Sequence, residues 1–397
     1  MTSSPTSLPL EGVTVVSLEH AIAAPLATRH LADLGARVIK IERPGVGDFA
    51  RAYDHRVDGL ASHFVWVNRS KESLTLDVKQ PEAQEILLKL LDEADVLVQN
   101  LAPGAAARLG LSFEALSERN PRLIVCDISG YGEGGPYTNK KAYDLLIQSE
   151  SGFLSITGTP EEQVKAGISI ADIAAGMYAY SNILGALIER GRTGRGRRIE
   201  IAMIDAMVEW MNFPMYYAYK DQQPPKRSGA SHATIYPYGP FKAGDGRTVM
   251  LGLQNEREWA VFCDKVLQNA PLATDARFAS NAQRTTHRDE LRALIEQTFA
   301  SLTGEDVIAR LDAADIANAH VSTMNDIWSH PQLQARQRWT TVDSPVGPLP
   351  ALQPPGMGPD RPARMDPVPA LGAHTDAILA ELGYGERIAA LRAEGAV

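Results

Sequence analysis

Cysteine is nearly missing from this 397-residue chain: Cys126 and Cys263 are the only two, far apart and without metal-ligand spacing. That excludes a disulfide framework, and buried, reduced thiols in a reducing compartment are the expectation. Positive charge is not in excess either. There are 39 Lys and Arg against 48 Asp and Glu, a net charge of −9, which argues against a nucleic-acid-binding surface but not against a local basic pocket. The start, Met-Thr-Ser-Ser-Pro-Thr-Ser-Leu-Pro, lacks a basic segment followed by an apolar one, so no signal peptide is read and a cytoplasmic location is expected. The loop after the first apolar run reads Glu-His-Ala-Ile-Ala-Ala-Pro, not Gly-x-Gly-x-x-Gly, so a bound dinucleotide is not supported. No Walker loop, His-Glu-x-x-His or Gly-x-Ser-x-Gly occurs. Neither a metal nor a permanently bound cofactor is expected.

What is present centres on Asp172. It is the only charge between Lys165 and Glu189, in a stretch of small and apolar residues. A lone carboxylate there is costly to bury unless something pairs with it. The neighbouring Gly and Ala leave room for a large ligand to approach. That combination points to a nucleophile or general base. Two plainer readings compete. A membrane span fits poorly, because Ser169, Tyr178, Tyr180, Ser181 and Asn182 make the run too polar and no second span exists. A helix N-cap fits the spacing well, since Ile173, Met177, Tyr180, Leu184 and Leu187 follow at helical steps. Cap and nucleophile are compatible, because the positive end of a helix favours the ionised carboxylate.

The length suggests two domains or one large domain with an insertion. In the first half, strand-like and helix-like segments alternate: strands at Val13–Leu18, Arg37–Ile41, Leu74–Val78, Asp95–Val98 and Leu123–Ile128. Helices are expected at Pro25–Leu34, Pro81–Glu93, Pro103–Leu109 and Phe113–Glu118. Such alternation predicts an α/β fold with a mostly parallel sheet, whose ligands gather at the carboxyl ends of the strands. The character changes near the Pro-rich Gln222–Arg227. Beyond it a strand at Val249–Leu253 and helices at Glu256–Leu267, His287–Ser301 and Thr303–Ala314 suggest a smaller α+β domain. The expected division is a large domain over 1–220, a small domain over 225–330, and a connector over 331–397 returning to the large domain. The Pro-rich stretch Ser344–Pro369 reads as extended, leading to a helix near Thr375–Leu382.

Several segments together resemble the class III CoA-transferases, the group that includes formyl-CoA and carnitine CoA-transferases. They are Leu-Glu-Gly-Val-Thr-Val-Val-Ser-Leu near the start, Leu-Gly-Ala-Arg-Val-Ile-Lys-Ile-Glu-Arg-Pro-Gly at 34–45 and Leu-Thr-Leu-Asp at 74–77. Ala-Asp-Val-Leu-Val-Gln-Asn-Leu-Ala-Pro-Gly-Ala at 94–105, Ile-Ser-Gly-Tyr-Gly at 128–132, Tyr143-Asp144, Thr157-Gly158, the Asp172 segment and Thr-Gly-Arg-Gly at 193–196 follow. Leu-Gly-Ala-His-Thr-Asp-Ala-Ile-Leu-Ala-Glu-Leu-Gly near the carboxyl end completes the set. No single piece is decisive; their number and order are. The resemblance implies an enzyme using an acyl-CoA thioester as substrate, with an aspartate nucleophile at the position of Asp172. It also implies an interlocked ring-like homodimer, each subunit having a Rossmann-like large domain made from both chain ends and a smaller middle domain.

Residue by residue, the resemblance assigns CoA contacts to Arg43, Lys71, Arg108 and Lys141, with Lys140 as an alternative to the last. Ala21, Ile22 and Ala23 match the strip beside the pantetheine thiol, and some relatives carry Gln where Ile22 stands. Tyr143 lies near the site by family position, or is a core aromatic with a bonded hydroxyl. Racemases of 2-methylacyl-CoA share the fold and have His where Tyr143 stands. Moving a proton between two faces needs two acid–base groups, so a racemase is disfavoured here. The segment Ser228–Phe241, with His232 and Tyr236, resembles relatives acting on succinyl, itaconyl or mesaconyl groups. His232 and Tyr236 are therefore substrate-binding candidates, although a structural His232 stays open. The reading reached is transfer of CoA from succinyl-CoA to a short dicarboxylate of the itaconate or mesaconate type, with a racemase or a non-catalytic acyl-CoA-binding protein as alternatives.

Overall fold

The structure, a computed structural model, describes residues 7–397. The chain forms two units: residues 1–152, 166–211 and 331–397 make the first, and residues 153–165 and 212–330 the second. The second unit therefore begins earlier than the Pro-rich 222–227 and takes a short detour at 153–165.

The first unit is built on six parallel strands: β1 (Thr14–Leu18), β2 (Arg37–Glu42), β3 (Lys71–Thr75), β4 (Val96–Gln99), β5 (Ile124–Ser129) and β6 (Arg198–Ala202). Their order is β3-β2-β1-β4-β5-β6. Chain direction across the sheet reverses between β1 and β4, which is where open α/β sheets bind ligands. Val15, Val16, Ile39, Leu97 and Val125 are fully buried, as expected of β-branched and Leu-rich strands covered on both faces. The helix Ala23–Asp33 follows β1 and ends at Gly35, whose φ of +103° closes the turn. The helix Pro81–Glu93 opens on Pro81, where a missing N–H costs nothing, and buries Ala83, Ile86, Leu87, Leu90 and Leu91.

Two elements depart from the sequence reading. The third strand is Lys71–Thr75, not Leu74–Val78, in register with Val38–Glu42. Its Lys-Glu-Ser start looks polar, but Lys71 and Ser73 are buried and satisfied by Glu19 and Glu42, a pairing that local pattern does not reveal. The edge strand β6 alternates Arg198, Ile199, Glu200 and Ile201, and Arg198 is held by Asp127 and Glu133. The stretch 344–369 is not wholly extended, because Trp339–Val342 and Leu349–Leu352 form an antiparallel hairpin. Beyond it the chain rejoins β3: His374 accepts from the Ser73 N–H and Thr375 from the Thr75 N–H.

The second unit has a three-stranded antiparallel sheet, Tyr238–Lys242, Thr248–Gly252 and Ala317–His320. Helices including Arg288–Phe299 and Gly304–Ala313 pack on it around Trp259, Phe262, Phe278 and Phe299. Among the described residues, no helix is long and apolar enough to cross a membrane.

Candidate active site

The segment 166–188 becomes the head of the longest helix, Ile170–Thr193, with Asp172 in its first turn. Asp172 is not the cap. The cap is Asp144, whose Oδ1 accepts from the N–H groups of Ala171 (2.8 Å) and Asp172 (3.3 Å). The other Asp144 oxygen accepts from Gln148 Nε2 at 2.6 Å. The Asp172 carboxylate accepts no hydrogen bond among the described residues. Burial first, and the charge of Asp144 second, push its pKa up to about 7. A half-buried, unpaired carboxylate of this kind is basic enough to be a nucleophile and open enough to be reached.

Gly176, one turn on, shows what the helix packs against. A Cβ there would stand 2.6 Å from the Ala23 carbonyl oxygen and 3.2 Å from the Leu26 Cβ. Only glycine lets the two helices approach so closely, and the approach sets Asp172 beside the amino end of Ala23–Asp33. Ala21 has a left-handed φ of 62° and gives its N–H to Asp48 at 3.2 Å. Ile22 and Ala23 are buried, and Ile22 is the residue before the first helical turn.

Beneath this loop lies a buried charge network. Glu19, Lys40, Asp48 and Lys71 are all nearly inaccessible. Lys40 Nζ lies 2.8 Å from Asp48 and 3.4 Å from Glu19, and Lys71 Nζ lies 2.7 Å from Glu19. Burial works against the Lys40 charge, but Glu19, Asp48 and Glu42 outweigh it and its pKa is raised. Glu19 is shared between two ammonium groups. Burial and the like charge of Lys40 therefore push Lys71 down to about 8 despite that partner. Lys71 also donates to the Pro25 carbonyl and to Asn68, so its ammonium is enclosed and fully engaged.

Arg43 and Arg108 are brought together as expected of a shared site. Both line a cleft of about 400 Å3 at the carboxyl ends of β1 to β4, with Leu18, His20, Leu76 and Leu101. Arg43 is not spent on Glu42, which instead binds Arg51 at 2.7 Å and Ser73 at 2.6 Å. Neither arginine has an ion-pair partner among the described residues. His20 belongs both to this cleft and to the loop leading to Ala23, so the loop joins the basic cleft to the Asp172 end. Lys140 is tied to Glu150, whereas Lys141 is exposed and without a partner among the described residues, which favours Lys141 of the two.

Tyr143 is not a core aromatic: it is 69% exposed, immediately before the Asp144–Glu150 helix. Tyr53 also stands near Asp172. Burial raises its pKa, and so do the nearby charges of Asp48, Asp172 and Tyr143, which puts its hydroxyl in the Asp172 neighbourhood. Its ring packs on Phe49 and His63. Nothing local in Phe-Ala-Arg-Ala-Tyr53 marks it; only the fold turns it toward Asp172. The two remaining candidates belong to the second unit. His232 is exposed, stacks on Tyr238, and its Nδ1 accepts from the N–H groups of Thr234 and Ile235. Tyr236 is corrected: at 2% exposure it is part of the unit's core, and its hydroxyl is enclosed without a partner among the described residues. Among the described residues no cluster of His, Cys, Asp or Glu could hold a metal.

Comparison with known proteins gives a consistent picture. Residues 10–375 match the CoA-transferase family III model. The chain is 34% identical over 392 residues to a succinate–glutarate CoA-transferase of Agrobacterium fabrum, covering 96% of this chain and 97% of that one. It is 32% identical over 348 residues to a succinyl-CoA:mesaconate CoA-transferase of Haloarcula hispanica, covering 85% and 86%. The crystal structure of a CAIB/BAIF family protein from Brucella suis, 35% identical, superimposes with a TM-score of 0.84 over 95% of this chain and 100% of that one. With a free, basic Asp172 at the head of its longest helix, this chain belongs to CoA-transferase family III and is a class III CoA-transferase.

Proposed function

We propose that the enzyme moves CoA from succinyl-CoA to a five-carbon dicarboxylic acid, with Asp172 as the nucleophile. The observation that carries the chemistry is the Asp172 carboxylate, unpaired and with its pKa raised to about 7. In the first step its oxygen attacks the thioester carbonyl carbon, the C–S bond breaks, and CoA leaves as the thiolate, giving a mixed anhydride. The thiolate then attacks the aspartyl carbonyl carbon and the donor leaves as its carboxylate. The acceptor carboxylate attacks the aspartyl thioester and releases thiolate again. Thiolate attack on the new acyl carbonyl forms the product thioester and restores Asp172. Each tetrahedral step calls for donors at the oxyanion. The first-turn N–H groups of Ala23 and Ala24, which a helix cannot satisfy internally, suit that task.

The acceptor class is supported by the two relatives described above, whose names specify glutarate and mesaconate, both five-carbon diacids, with a succinyl donor or its acid; other relatives are named for oxalate. Arg43 and Arg108 are fit to take the CoA phosphates, and Lys141 is a third candidate cation. His232, with its Nε2 free, is a candidate for the distal carboxylate of the acceptor. An interlocked homodimer is proposed as the assembly. Its support, beyond the family, is the exposed row Trp210, Phe213, Met215, Tyr216, Tyr217 and Tyr219.

The test is direct. Asp172→Ala loses transfer by about 10³-fold or more, since a covalent route has no substitute, while CoA still binds. Hydroxylamine trapping during turnover with succinyl-CoA modifies Asp172 in the wild-type enzyme. Turnover by Asp172→Ala near the wild-type rate, or a trapped label only elsewhere, rejects the mechanism. Mass spectrometry of succinyl-CoA incubated with C4, C5 and C6 diacids tests the acceptor, and equal use of all three rejects the C5 assignment.

A further inference from the structure

We infer that Asp144 is the positioning residue of this active site, holding the first turn of the Asp172 helix through the Ala171 and Asp172 N–H groups and keeping its own charge beside the nucleophile. The inference rests on Asp172 being the nucleophile, as proposed above.

The geometry is a clamp across three segments. Asp144 Oδ1 takes the two N–H groups at the head of the 24-residue helix. Asp144 Oδ2 takes Gln148 Nε2 at 2.6 Å, and Gln148 Oε1 takes the Ala166 N–H at 2.9 Å. Gln148 is fully buried. The chain entering the helix and the helix head are thus both fastened to one short element, Asp144–Glu150. The residue in the usual cap position, Ser169, makes no side-chain cap bond. The structure therefore uses a carboxylate from elsewhere where a serine stood ready.

A neutral acceptor would cap the helix well enough. A carboxylate does something more. A second anion near Asp172 disfavours its ionised form, and the pKa of Asp172 is raised by burial and by Asp144. Other groups around Asp172 carry less charge. Tyr53 and Tyr143 are phenols rather than carboxylates, and the helix Ala23–Asp33 offers only Ala23 and Leu26 at the close approach. The neighbouring helix Met203–Trp210 carries Asp205 and Glu209, both exposed, and neither shifts Asp172. A more basic carboxylate is a better attacking group on the thioester carbonyl.

The sign of the pH dependence follows. Attack needs the ionised form, so activity is present above the Asp172 pKa and is lost as pH falls through about 7. Asp144→Asn keeps an oxygen for the two N–H groups and removes the charge. The midpoint of the acid limb then moves down, by about one pH unit for loss of a close like charge. Asp144→Ala removes the cap too, and kcat falls about 10- to 100-fold with KM for acyl-CoA little changed, as for a displaced reacting group. The readout is the rate of covalent label on Asp172 against pH, in single turnover with succinyl-CoA, for the wild type and both variants. A midpoint unmoved in Asp144→Asn overturns the inference. Should that variant not fold, a wild-type midpoint in the ordinary carboxylate range overturns it as well. Failure to label Asp172 in the wild type instead overturns the nucleophile assignment and is separately visible.

Discussion

A guanidinium at the end of a strand has little to hold it in place unless something fills the space before it. Arg43, just past the end of β2, and Arg108, at the end of the short helix Ala105–Arg108, face one cleft and are left without carboxylate partners, although Glu42 stands next to Arg43 in the chain. Glu42 is drawn inward by Arg51 and Ser73. The pair is thus available to a phosphate, and Arg suits phosphate by its planar, forked donors. Arg43→Ala or Arg108→Ala is expected to raise KM for acyl-CoA about tenfold or more, the weight of one charge-assisted hydrogen bond. Because the phosphates are remote from the reacting carbon and bound alike in ground and transition states, kcat stays near wild type. Saturation curves with succinyl-CoA measure both. A fall in kcat at unchanged KM would place these arginines elsewhere in the cycle.

At the scale of elements, the site depends on two helices meeting at a glycine. Replacing Gly176 with Ala sets two terms against each other. Helix propensity favours Ala by about 1 kcal/mol. Against that, a methyl group would sit 2.6 Å from the Ala23 carbonyl oxygen, which is backbone and cannot swing away. Overpacking of this kind costs about 1–3 kcal/mol. Gly176→Ala is therefore expected to lower stability slightly and activity more, since Asp172 lies one turn away on the same helix. Denaturation midpoints and kcat for that variant check this, and a more stable, fully active protein would show that the helices do not cross so closely. The loop between β1 and the first helix is held from below by the same kind of constraint. Asp48 receives the N–H groups of Ala21 and Ala50 while Lys40 neutralises it. Buried ion pairs are weak as sources of stability, yet a partner left alone is costly, so such a network holds one arrangement against others.

For the whole molecule, six large apolar side chains between Trp210 and Tyr219 are exposed. Surfaces of that kind are usually covered by a partner. Light scattering is expected to give twice the 43.1 kDa chain mass at micromolar concentration. A monomer there would reject the dimer. Much of the architecture follows from local pattern alone. Periodicity places Pro81–Glu93 to the residue, and strands β1, β2, β4 and β5 within a residue or two, because apolar strands and amphipathic helices write their burial into the order of residues. The lone Asp172 and the arginines Arg43 and Arg108 are legible for a related reason: a charge out of keeping with its neighbours, or a family motif, marks each one in the linear chain. Lys71, Tyr236, Tyr53 and Asp144 are different. Whether a lysine meets ligand or Glu19, whether a tyrosine is core or lining, and which carboxylate caps a helix 27 residues away all depend on what the fold brings alongside. Those contacts span long separations in the chain, and only tertiary packing, through the desolvation and pairing it imposes, decides them.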